Sequence, residues 1–113
     1  QVVRYYRLRI AGDMALALER TVVPQSVLAD PNLVENSLYE TFSKLGLRPA
    51  RALQRLRAIA FDAEQARLMN LPEGSPGLFI ERRTFLEDGR VVEYTRSFYR
   101  GDAYDFVAEL QTE

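Results

Sequence analysis

The chain has 113 residues, 47% of them apolar and 27% charged, the profile of a single folded domain and not of a disordered tail, a fibre or a coiled-coil rod. Cysteine and histidine are both absent, which excludes disulfide scaffolds, Cys/His zinc centres and Ser-His-Asp or Cys-His catalysis. With 15 basic and 16 acidic residues the net charge is -1, so there is no basic excess with which to grip a nucleic-acid backbone, and no run approaches the ~18 apolar residues of a membrane span.

Turn signals at Gly12-Asp13, Asp30-Pro31, Gly46, the Pro72-Glu73-Gly74-Ser75-Pro76 cluster, Asp88-Gly89 and Gly101-Asp102 divide the chain into short elements. Residues 2–10 read as a strand, with Val2, Tyr6, Leu8 and Ile10 on one face and Val3, Tyr5, Arg7 and Arg9 on the other. Residues 14–23 read as its hairpin partner. The two apolar faces coincide only if the connecting loop has an odd number of residues, and Ala11-Gly12-Asp13 supplies three, with Gly12 or Asp13 left-handed. That register puts Arg7, Arg9 and Glu19 on one shared face.

Segment 36–45 reads as a helix, with Ser37 and Glu40 as a capping box, Leu38, Phe42 and Leu45 as its apolar stripe and Gly46 as a left-handed stop. Segment 50–61 is strand-like and rich in arginine. Asp62, with Gln65 three residues later, opens a second helix over 62–70, whose small-residue face suits close packing on a sheet. Residues 77–87 and 90–100 form a hairpin about Asp88-Gly89, and 103–110 alternate as one more strand. The expectation is an α+β domain, an antiparallel sheet flanked by short helices.

Four constellations could carry chemistry. Arg7 and Arg9 project from one strand face about 7 Å apart and could clamp a phosphate or carboxylate, although exposed strand faces often carry arginine. Glu19, on the same face, could accept from a ligand hydroxyl or simply bridge an arginine. Ser37 and Tyr39 sit at a helix start, where the capping box already accounts for Ser37. Glu93 and Tyr99 share a face with Val91, Thr95 and Ser97, while Val92, Tyr94 and Phe98 point away; such a face lines a polar cavity or meets solvent. No nucleophile-plus-base spacing is visible, so no catalytic residue, metal or cofactor is assigned. Lys44 is the single lysine beside 14 arginines. The arginine fork suits anions, yet genome base composition or surface ion pairing explains the bias as readily.

Taken in order, Arg7-x-Arg9, Ala-Leu-Glu-Arg-Thr-x-x-Pro (17–24), Ser-Leu-Tyr-Glu (37–40), Gly-Leu-Arg-Pro (46–49), Asp-Ala-Glu-x-Ala-Arg-x-x-x-Leu-Pro-Glu-Gly-x-Pro (62–76) and Asp-Gly-Arg-x-Val-Glu-Tyr-x-Arg-Ser-x-Tyr-Arg-Gly-Asp-x-Tyr-x-Phe (88–106) resemble the UTRA domain, the effector-binding half of GntR-type transcription regulators of the HutC subfamily. The resemblance covers nearly the whole chain. It implies a chorismate-lyase-like fold and a cytoplasmic bacterial homodimer. A small anionic metabolite would bind this domain, and DNA would be bound only through a winged helix-turn-helix absent from these residues, as is the family's usual first stretch of the effector domain. It further implies that Arg7 and Arg9 take the anionic group, that Glu19 faces the ligand's polar body, that Ser37 and Tyr39 contribute at the helix start, and that Glu93 and Tyr99 close the pocket. Two alternatives stand beside this: a small chorismate-lyase-like enzyme, and a dimerisation module with a vestigial pocket.

Overall fold

The computed structural model describes residues 2–25 and 38–111. Seven elements follow one another: β1 (Val2–Ala11), β2 (Met14–Pro24), α1 (Leu38–Lys44), β3 (Pro49–Ala60), α2 (Ala63–Met69), β4 (Pro76–Leu86) and β5 (Val91–Arg100). All five strands join one antiparallel sheet in the order β1-β2-β5-β4-β3. The α+β class is therefore as read from the sequence.

Both hairpins reach their register by an indirect route. The first turn holds two residues, Gly12 and Asp13, between paired Ala11 and Met14, not the three expected. Gly12 takes the left-handed conformation at φ +63. The register then shifts between Arg9 and Ile10, leaving Leu16 as an extra residue on β2, and this bulge restores the parity the sequence demanded. Arg7 consequently pairs with Glu19. In the second hairpin the shift between Thr84 and Phe85 leaves Val92 unmatched on β5. Strict alternation predicts Val92 on the face opposite Glu93; the bulge instead lets both become buried, and Val92 packs with Val23, Phe42 and Leu86.

Helix α2 covers one face of the sheet. Asp62 accepts from Gln65 N at 2.8 Å and Gln65 returns the bond at 3.1 Å, so the expected capping box is present. Its buried residues are Ala66 and Met69, which pack with Phe61 on Leu18, Phe79 and Phe98. Phe61 also lies directly on the backbone of β4: a Cβ at Gly77 would stand 2.5 Å from its ring. A helix of this length reaches only the central strands. The β1 residues on that face stay open to solvent, with Tyr6 66% and Ile10 58% exposed.

Beyond α2, arginines cover the aromatic rings. Arg57 and Arg96 lie over Phe79, Arg20 over Tyr6 and Phe98, Arg83 over Tyr94 and Arg51 over Phe85, at 4.1–5.8 Å from the ring centroids. A flat, weakly hydrated guanidinium covers a ring as an ammonium cannot, which gives the arginine bias a structural reason.

Helix α1 sits on the other face, through Phe42 against Val23 and Val92. Gly46 ends it at φ +74, and Leu47 N donates to Phe42 O at 2.9 Å, as the sequence predicted for its stop. Residues 103–110 do not form the expected strand. They run irregularly and largely exposed: β5, from which they continue, has both sides occupied by β2 and β4, and they pair with neither of the open edges at β1 and β3.

Candidate ligand-binding site

The α1 face of the sheet holds a cavity of about 280 Å³, near the lower end of the ~300–1,000 Å³ range of small-molecule sites. Strand register builds its floor from cross-sheet rows. One row runs Arg7, Glu19, Ser97, Ile80. The next runs Tyr5, Thr21, Thr95, Arg82, Gln54. Arg9, Ala17 and Tyr99 begin a third. Tyr104 follows β5 and stacks on Tyr99 with ring centroids 4.2 Å apart, forming part of the wall.

Five of the seven sequence-selected residues, Arg7, Arg9, Glu19, Glu93 and Tyr99, thus line one cavity. Ser37 lies outside the described residues. Tyr39 lies in the first turn of α1, on the cavity side of the sheet, and its side chain is likewise outside them.

Two carboxylates anchor the site. Arg9 Nε donates to Glu19 Oε1, and the Glu19 side chain is only 8% exposed. Glu93 is deeper. Its Oε1 accepts from Thr84 Oγ1 at 2.6 Å and Arg82 Nε at 3.4 Å; its Oε2 accepts from Thr95 Oγ1 at 2.7 Å and an Arg82 terminal nitrogen at 3.1 Å. Thr95 spends its one hydrogen on Glu93, so in the 3.2 Å contact with Thr21 it is the acceptor. Burial pushes the Glu93 carboxyl up, but these donors outweigh it and hold the group below the usual carboxylate range. Glu93 therefore faces the cavity as a fully engaged anion whose geometric effect is to fix Arg82.

The phenols go the other way. Burial raises Tyr99, reinforced by the Glu19 charge, and burial raises Tyr5 despite the neighbouring Thr21 hydroxyl. Both stay protonated and able to donate at neutral pH. The lining carries three guanidinium groups, Arg7, Arg9 and Arg82, against two carboxylates, an excess of one positive charge. No side chain in it combines a nucleophile with a free base. The chemistry on offer is recognition of an anion that also carries hydroxyl or amino groups.

Sequence reading missed Arg82, Tyr5, Gln54 and Tyr104. For Arg82 the signal was present: pairing the two strands about Asp88-Gly89 sets Thr84 against Glu93 and Arg82 against Thr95. Tyr104 carried none, since its place depends on a segment that is not a strand.

A five-stranded antiparallel sheet with two short helices and a polar, arginine-lined cavity defines a small-molecule recognition domain. The chain belongs to the UTRA domain family, which it matches over residues 1–105. It is 34% identical over 104 residues to the HTH-type transcriptional repressor NagR of Bacillus subtilis (strain 168), covering 89% of this chain and 43% of that protein. It is 32% identical over 110 residues to the mannosyl-D-glycerate transport/metabolism system repressor MngR of Escherichia coli (strain K12), covering 93% and 45%. Among solved structures, a GntR-family transcriptional regulator from Bacillus cereus superposes with a TM-score of 0.84 at 26% identity, over 97% of this chain and 79% of that one. The chain spans less than half the length of these two curated relatives. Among the described residues, no helix is long and apolar enough to cross a membrane.

Proposed function

We propose that this domain is the effector sensor of a cytoplasmic, homodimeric GntR-type regulator of the HutC subfamily, and that it binds a small anionic metabolite without turning it over. The observation that carries the reading is the convergence of Arg7, Arg9 and Arg82 with Glu19 and three phenols in one cavity. Arg7 and Arg9 would neutralise the anionic group, Arg82 would be aimed by Glu93, and Tyr99 and Glu19 would read hydroxyl or amino groups. Ser37 and Tyr39 would complete the site from the start of α1. A sugar phosphate, an amino-acid derivative or an organic acid fits this chemistry, and the MngR relative is named for a carboxylate-bearing glycoside. Operator DNA would be held by a winged helix-turn-helix outside these residues. Coupling requires only that the effector bind one arrangement of the dimer better than another.

A thermal-shift panel of sugar phosphates, amino-acid derivatives, organic acids and uncharged sugars tests it. At a ligand concentration 100-fold above Kd, an anion of the right class stabilises the fold by about 2.7 kcal/mol. Arg7→Ala combined with Arg9→Ala removes that response. Silence from every anion, or efficient conversion of chorismate to 4-hydroxybenzoate, would overturn the reading.

A further inference from the structure

On the α2 face, strand register sets Tyr6, Arg20, Arg96, Glu81 and Arg55 in one row across all five strands. Arg4, Tyr94 and Arg83 stand in the next row, and Arg57 in the one before, opposite Phe79. These three rows hold six arginines and one acid, Glu81. None of the six forms an ion pair among the described residues, and Glu81 accepts from the Tyr94 hydroxyl at 2.7 Å. The cavity on the other face is built differently, with Arg9 on Glu19 and Arg82 on Glu93. Here Arg20 stands directly opposite Arg96, a like-charge pairing that costs stability. Arg57 and Arg96 both lie 5.6 Å from the centre of the Phe79 ring. Arg20 Nε is buried and has no hydrogen-bond partner among the described residues. A hollow of about 180 Å³ opens among Arg4, Arg20 and Arg96, walled by Tyr6 and Tyr94. The net charge of -1 conceals this excess, because the balancing acids lie elsewhere on the molecule.

We propose that this face docks on the phosphate backbone of duplex DNA, a contact additional to the winged helix-turn-helix and indifferent to base sequence. Four of the six guanidinium groups, those of Arg20, Arg57, Arg83 and Arg96, already lie over aromatic rings. Their flat faces are occupied, so the surface presents their donor edges, the part that takes a phosphate oxygen pair. The grid spans five strands, about 19 Å, along which a duplex offers about eleven phosphate charges. An acidic polypeptide carries its charges singly and more sparsely, and fits such a grid less well. Contacts of this kind fix position and carry no sequence information. The proposal rests on the regulator reading above in one respect, that DNA lies within reach of this domain.

The 113-residue chain itself is the test molecule, titrated into labelled short duplexes of two unrelated sequences and followed by fluorescence anisotropy. Equal, micromolar binding to both is expected at about 50 mM salt, weakening roughly a hundredfold by about 200 mM as some four phosphates release their counterions. Arg4→Gln, Arg55→Gln and Arg96→Gln, three exposed positions changed together, should lower the slope of log K against log salt by about three. Arg48→Gln with Arg90→Gln, at the end of the β4–β5 hairpin, should leave it unchanged. The thermal response of each sample to sugar phosphates reports the cavity on the opposite face. Its persistence in the triple variant shows a folded domain, so that a lower slope there counts for the proposal. No binding at the lower salt, with that response intact, would overturn this surface and leave the effector reading standing. A slope indifferent to the three glutamines would overturn it as well. So would displacement of the duplex by polyglutamate at equal charge, which would make the partner an acidic protein.

Discussion

Glu93 shows how one buried charge can organise a site without being its ligand anchor. Four hydrogen bonds from Arg82, Thr84 and Thr95 hold a side chain that is only 2% exposed. Removing it strands a guanidinium and two hydroxyls, so Glu93→Ala should destabilise the fold by about 3 kcal/mol, read by urea unfolding at neutral pH. The pH dependence has a definite sign. The folded carboxyl titrates below its unfolded value of about 4.3, so its contribution is full above that value and disappears as pH falls through the lowered one. The stability gap between wild type and Glu93→Gln should therefore be constant near neutrality and close below about pH 4. An unchanged gap at pH 3 would mean that the carboxylate is not what the donors stabilise.

At the scale of elements, α2 is held by its cap and by one close approach. Asp62→Ala should cost about 1 kcal/mol through loss of the reciprocal bonds with Gln65. Gly77→Ala should cost about 1–3 kcal/mol, because its methyl would meet the Phe61 ring at 2.5 Å and the Tyr99 carbonyl at 3.1 Å, and Phe61 is too enclosed to swing away. A Gly77→Ala chain with an unshifted unfolding midpoint would show that β4 can yield there. Elements with strong local chemistry were legible in advance: the Asp62 cap, the Gly46 stop, and the parity that sets Arg7 opposite Glu19. The misreadings share a cause. A three-residue loop and a two-residue turn plus a bulge give the same parity, so alternation could not tell them apart, nor foresee Val92 turning toward the face of Glu93. Residues 104–110 alternate like a strand, but alternation says nothing about whether a neighbour is free. In the described chain none is taken, and that is why Tyr104 reaches the cavity unannounced.

Across the whole molecule the two faces of the sheet do different work. One is covered over its central strands by α2 and by arginines and left open along β1; the other stays concave beside α1 and carries the cavity. The outer layer should be sensitive to the kind of cation and not merely to its charge. Replacing Arg20, Arg57 and Arg96 together by lysine keeps the net charge but withdraws the flat cover from Phe79 and Phe98. A loss of about 1–2 kcal/mol is expected by thermal unfolding, and a neutral outcome would mean that the stacking contributes little. Such a change leaves Arg7, Arg9 and Arg82 untouched, so the response to anions should persist.

The cavity has neither imidazole nor thiol, its deepest acid is held low and two of its phenols are held high. A receptor of this make-up keeps one electrical character while the acidity of its surroundings drifts. Between about pH 6 and 9 its grip on a metabolite should follow only the ionisation of the metabolite itself, so that it reports abundance and stays blind to proton concentration.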